Sequence, residues 1–133
     1  HGNTSKVAQN IAETLRTNGM KVKEIDLCRT DVSEAVAQAF CYGKMVHCAS
    51  SYDAGVFPPM HVFLYKLGIK DYQSRQVALV ENGSWAPSAG KTMRGMLEAM
   101  KEIQIVEPMV TIRSAWKDEY QEELNTLIDS ILR

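Results

Sequence analysis

His1-Gly2-Asn3-Thr4, followed at once by Ser5-Lys6-Val7-Ala8-Gln9-Asn10-Ile11-Ala12-Glu13-Thr14-Leu15, is the stretch on which the reading of this chain turns. Val7, Ala8, Ile11, Ala12 and Leu15 fall on one face at the helical period. The spacing predicts a helix over Thr4–Asn18, with Thr4 as its cap and Gly19 as the left-handed residue that ends it. A Gly-Asn-Thr step into a helix leaves backbone N–H groups bare at the positive end of the helix dipole. Such groups hold a phosphate without any lysine or arginine. A turn of this kind hangs from the end of a buried strand. No strand-like run stands ahead of it, so the expectation is a domain lacking an N-terminal piece.

Outward from this helix the pattern alternates. Lys21–Leu27 reads as a short strand whose partial alternation suits an edge. Asp31 or Ser33 caps a second helix that runs to about Cys41, and Gly43 breaks it. Lys44–Ala49 is a compact apolar run, fit for a strand buried on both faces. Ser50–Phe57 is a polar loop, and Pro58-Pro59 opens a third helix. Gln76–Val80 is the next strand, and Glu81–Ala89 the next loop, with Asn82-Gly83 as its turn signal. Gly90 to about Ile103 reads as helix, with Met93, Met96, Leu97 and Met100 as its core stripe. A last strand is expected over Met109–Ser114. Asp118 caps the final helix, whose stripe is Leu124, Leu127, Ile128 and Ile131.

Regular alternation with short loops predicts an α/β domain, a parallel sheet with helices on both faces. Adding a strand before the first helix gives five β-α units. The expected architecture is then three-layered and doubly wound, with strand order 2-1-3-4-5. In that order the missing first strand is central, and without it strands two and three face each other with bare edges. One domain is expected over residues 1–133, N-terminally truncated.

Composition excludes several classes of function. Net charge is -1 and no basic stripe occurs, which argues against a nucleic-acid partner. No apolar run approaches the roughly 18 residues of a membrane span. The odd cysteine count (Cys28, Cys41, Cys48) and the lack of a C-x-x-C argue against a disulfide framework or structural zinc. Free, mostly buried thiols suit a reducing cytoplasm, with Cys48 a small core hydrophobe. His47 and His61 have no partners at metal spacing and read as structural, so no metal site is expected. No G-x-S-x-G nucleophile elbow occurs. Gly90-Lys91-Thr92 fails as a phosphate loop because the preceding glycine, Gly83, is too far upstream for the required spacing. No catalytic residue is assigned.

In open α/β sheets, ligands bind beyond the carboxyl ends of the strands, where the strand order reverses. Three loops land there. His1–Thr4 offers backbone amides with Asn3, Thr4 and Ser5 side chains, which suit a phosphate. Ser50, Ser51, Tyr52, Asp53 and Gly55 offer a ring and compact polar groups. Asn82, Gly83, Ser84 and Trp85 place a large aromatic at a turn. A planar heterocycle on a phosphorylated tail uses all three.

His1-Gly2-Asn3-Thr4, Ser51-Tyr52-Asp53-Ala54-Gly55-Val56-Phe57-Pro58 and Gly83-Ser84-Trp85 resemble the three FMN loops of flavodoxins. They are most similar to the flavodoxin-like domain of the flavodiiron, or A-type, flavoproteins, and the resemblance covers essentially the whole chain. It implies a flavodoxin-like fold and an FMN cofactor. The implied binding residues are His1, Gly2, Asn3, Thr4, Ser50, Ser51, Tyr52, Asp53, Ala54, Gly55, Asn82, Gly83, Ser84 and Trp85. It also implies electron transfer between redox partner proteins, with a di-iron domain as a partner in the parent protein. The chain departs from the family pattern at Asp53 and Ala54, where Asn and Gly are usual. A carboxylate beside a flavin disfavours its anionic reduced form and lowers its potential. An electron carrier, or the flavin domain of an oxidoreductase, is thus expected rather than a complete enzyme. Two alternatives stay open: an FMN-dependent NAD(P)H:quinone-type reductase, and a non-catalytic interaction module that has lost FMN.

Overall fold

A computed structural model describes residues 2–52, 55–83, 88–113 and 118–133. Its elements in chain order are α1 (Gly2–Thr17), α2 (Val32–Ala39), β1 (Lys44–Tyr52), β2 (Gly55–Val56), α3 (Pro58–Ile69), β3 (Arg75–Asn82), α4 (Ala89–Glu98), β4 (Ile103–Ile112) and α5 (Asp118–Leu132). The sheet order is β2-β1-β3-β4. β1 and β3 run parallel, in register from Lys44↔Gln76 to Ser50↔Asn82. β3 and β4 are also parallel, while the short β2 folds back antiparallel on the end of β1.

Strand periodicity divides the core into two layers. On β3, Val77 and Leu79 join Ala49 of β1 and the apolar faces of α2, α3 and α4, including Phe63, Leu64, Leu67, Met93 and Leu97. The alternate residues Ala78 and Val80 face the other way. They meet Val7, Ile11 and Leu15 of α1 and Leu124, Leu127 and Ile128 of α5. The central strand is therefore apolar on both sides, as a parallel strand between two helical layers must be. Met96 and Met100 pack beside Met93 against the first layer, which makes the methionine stripe core.

The helix ends follow local chemistry. Gly19 has φ +88°, and Met20 N–H donates to the Leu15 carbonyl at 3.0 Å, the glycine-terminated motif expected of this sequence. Asp31 caps α2, its carboxylate accepting the Ser33 N–H at 3.1 Å. Arg75 binds the loose carbonyls at the other end of α2. Nε and Nη2 donate to the carbonyls of Tyr42 and Phe40, each at 3.1 Å, with the guanidinium stacked on the Tyr72 and Phe40 rings.

Several expectations are corrected. Lys21–Leu27 forms no strand and belongs to no sheet among the described residues, and Leu27 already lies in a turn. Its parity is nonetheless that of a strand: Met20 and Val22 pack into the α1–α5 layer, Ile25 and Leu27 into the other. In the 2-1-3-4-5 order this segment pairs only with the first strand, and no described residue supplies one. Thr4 lies inside the first turn of α1 rather than capping it. α4 stops at Glu98 rather than near Ile103, and β4 begins at Ile103 rather than Met109. Pro108 hid the first half of that strand, because proline donates no ladder hydrogen bond. The register shift between Ala78 and Val80 lets β4 bulge past it. Two of the three thiols, Cys28 and Cys41, are exposed rather than buried.

Candidate functional site

Three chain segments distant in sequence meet beyond the carboxyl ends of β1 and β3. Thr4 Oγ1, in the first turn of α1, lies 3.2 Å from Ser50 Oγ at the end of β1. Asn82 Nδ2, at the end of β3, donates to the same Thr4 oxygen at 3.3 Å. One hydroxyl thus ties together the three loops singled out in the sequence. All three side chains are half-buried and uncharged. The first turn of α1 carries no acidic residue, so the positive end of this helix dipole is unopposed by its own side chains. Hydroxyls, an amide and a helix N-terminus are a donor set that suits a phosphate-like anion.

The second loop is more ordered than a polar loop. β1 continues to Tyr52, and β2 pairs antiparallel with its end, Ser51 opposite Val56 and Tyr52 opposite Gly55. The Phe57 N–H donates to the Ser50 carbonyl at 2.9 Å, which closes the hairpin at its base. Pro58 and Pro59 then start α3. Gly2 and Asn3 are placed by the backbone at the start of α1, and Ser51, Tyr52 and Gly55 by the hairpin. His1, Asp53, Ala54, Ser84 and Trp85 lie outside the described residues.

The third loop leaves from Asn82. Gly83 N–H donates to the Ile112 carbonyl at 3.0 Å, which fixes its first residue to β4. Glu81, one residue earlier, is buried at 5% exposure. Its Oε1 accepts the Gly90 N–H at 2.9 Å and its Oε2 accepts the Thr111 hydroxyl at 2.8 Å. Sequence reasoning placed Glu81 in the loop and assigned nothing to Gly90 or Thr111. The available signal was parity: Glu81 continues the 77, 79, 81 series of core positions, where a charge needs partners.

The other reactive groups lie away from this rim. His47 is buried against Phe63, and desolvation lowers its pKa to about 4. Burial pushes the Cys48 thiol up to about 12, which disfavours the thiolate. Among the described residues no group of His, Cys, Asp and Glu is arranged to hold a metal ion. No helix among them is long and apolar enough to cross a membrane.

No protein-family model matches the sequence, and no curated protein matches it. Solved structures do. Rubredoxin oxygen:oxidoreductase from Desulfovibrio gigas superposes with a TM-score of 0.89 at 19% identity, over 96% of this chain and 32% of that one. The fold is flavodoxin-like. A flavodoxin from Bacillus cereus matches with a TM-score of 0.83 at 16% identity, over 99% of this chain and 91% of that one. The Flv1 flavodiiron core from Synechocystis gives 0.83 at 14% identity, over 97% of this chain and 31% of that one. The chain therefore spans about a third of the Desulfovibrio gigas and Synechocystis structures and nearly the whole of the Bacillus cereus flavodoxin. The doubly wound arrangement read from the sequence agrees with these superpositions. In it, Thr4, Ser50 and Asn82 occupy the rim where such sheets bind ligands.

Proposed function

We propose that this domain binds FMN and serves as an electron-transfer unit. The observation that carries the reading is the Thr4 hydroxyl, within hydrogen-bond reach of both Ser50 and Asn82. It joins the helix N-terminus, suited to the phosphate, to the two loops that supply rings and compact polar groups. Gly2, Asn3 and Thr4, with His1, would hold the phosphate. Ser50, Ser51, Tyr52, Asp53, Ala54 and Gly55 would hold one side of the ring system, and Asn82, Gly83, Ser84 and Trp85 the other. When bound, FMN supplies the redox chemistry. The chain's own residues bind it, orient it and exclude water from its ring.

The coverage of the flavodiiron relatives supports a place beside a di-iron domain in a longer protein, with redox proteins as donor and acceptor. The free thiols of Cys28, Cys41 and Cys48 support a cytoplasmic setting. The edge of β1 away from β3 has no strand partner over Lys44–Ala49 among the described residues. That edge supports a further parallel strand between it and the segment Lys21–Leu27.

The test is titration of the protein with FMN, following quenching of flavin fluorescence. Saturable one-to-one quenching is expected. Thr4→Val and Asn82→Ala should each weaken binding about tenfold, the effect of losing roughly 1.4 kcal/mol of hydrogen bonding. No quenching, even with an apolar strand supplied ahead of Gly2, would overturn the reading.

A further inference from the structure

We propose that Glu81 is a positioning residue for the third loop, tying its two described stems, Asn82–Gly83 and Ser88–Gly90, at a fixed separation beside the proposed flavin site. The proposal rests on the FMN reading for its purpose and on Glu81's own contacts for its substance. Glu81 is the penultimate residue of β3, and Gly90 lies in the first turn of α4. The carboxylate therefore bridges the two stems of the loop directly, with Gly90 N–H to Oε1 at 2.9 Å. Its other oxygen is anchored to β4 through the Thr111 hydroxyl at 2.8 Å. A second tie, Gly83 N–H to the Ile112 carbonyl at 3.0 Å, fixes the outgoing strand to the same neighbour.

Two further features single this carboxylate out. Gly90 has no room for a side chain: an added Cβ would sit 2.9 Å from Glu81 Cδ and 3.0 Å from Oε2, and would collide with Met109 Sδ. The close approach of carboxylate to backbone thus depends on glycine. Glu81 is also 5% exposed, and no Lys, Arg or His among the described residues forms an ion pair with it. Among the described residues its charge is met by the hydrogen bonds from Gly90 and Thr111 and by the positive end of α4. An apolar side chain would fill the position with less desolvation. Core packing alone does not call for a carboxylate here, whereas a fixed loop stem does.

The experiment compares Glu81→Gln, Glu81→Ala and Thr111→Val in the full 133-residue chain. Amide hydrogen exchange at Gly83 and Gly90, FMN fluorescence titration and visible circular dichroism of bound flavin are read together. Glutamine still accepts from Gly90 and can donate to Thr111, so Glu81→Gln should keep slow exchange and an FMN dissociation constant within threefold of the parent. Glu81→Ala should speed exchange at both glycines at least tenfold, weaken FMN at least tenfold and alter the flavin dichroism. Core amides such as Leu79 should stay protected. Thr111→Val should fall between the two. If Glu81→Ala does not fold, Thr111→Val against Glu81→Gln decides the matter: equal exchange and equal affinity overturn the clamp. Should the parent bind no FMN, the FMN reading fails by itself, and unchanged Gly90 exchange in Glu81→Ala still overturns the clamp.

Discussion

Desolvation keeps the His47 imidazole neutral inside β1, with its pKa lowered to about 4 and Nδ1 without a hydrogen-bond partner. Below about pH 6.5 the unfolded chain takes up a proton there, while the folded chain does not until about pH 4. The unfolded state binds more protons in that window, so stability falls as pH drops through it. The full effect is ~3 kcal/mol. Urea unfolding at pH 7 and pH 4.5 should show this loss in the parent. His47→Leu should remove most of it, and at pH 7 it should cost little, because the ring gives up only the weak contact of Nε2 with Met45 Sδ at 3.4 Å. Tyr72 offers a parallel case at the opposite end of the sheet. Its hydroxyl is buried and unpartnered, and burial raises its pKa to about 12. Tyr72→Phe should keep the edge contact with Phe40 and leave stability within about 1 kcal/mol of the parent in urea, or above it. At the proposed site, Asp53 places a charge where the resembling family has an amide. Asp53→Asn should raise the flavin potential by about 60 mV, the tenfold step of a one-electron couple, in a spectroelectrochemical titration.

At the scale of elements, the junction of β3, α4 and β4 carries the sharpest steric test. Gly90→Ala brings a methyl group against Met109 Sδ and within 2.9 Å of the anchored Glu81 Cδ. It should cost about 1–3 kcal/mol in chemical denaturation. Pairing it with Met109→Ala should recover only part of that loss. The thioether can move aside, whereas the carboxylate is held by two hydrogen bonds. This junction also shows where sequence reading stops. The helical stripes of α1 and α5 and the double-faced run Val77–Val80 were legible, because periodicity reports which faces are buried. The convergence of Thr4, Ser50 and Asn82 was legible because topology places strand ends on one rim. The alternation within Lys21–Leu27 was legible but its lack of a strand was not, since hydrogen bonding depends on a neighbour rather than on local pattern. The first half of β4 was hidden by Pro108, and the Glu81 clamp by its distance in sequence from Thr111.

For the molecule as a whole, the sheet's weak place is the edge of β1. Over Lys44–Ala49 one side is bonded to β3 and the other has no strand among the described residues, although Met20 and Val22 on one layer and Ile25 and Leu27 on the other pack as a flanking strand would. α1 and α5 form much of one layer, so a strand entering here would also cover Val7 and Ile11 from the sheet side. Bare parallel edges recruit strands from other molecules. The 133-residue chain should therefore self-associate with rising concentration, and amides along Lys44–Ala49 should exchange faster than those of Val77–Val80. Encoding five or six apolar β-branched residues ahead of Gly2 should fill the edge by a right-handed crossover through α1. Such a variant should sediment as a monomer and protect the Lys44–Ala49 amides. It should also raise the midpoint of thermal unfolding by several degrees, since one added strand buries apolar side chains on both faces at ~1.5–3 kcal/mol each before the entropy of ordering is subtracted. Unchanged exchange over Lys44–Ala49 in that variant would show that the edge is not where the strand goes.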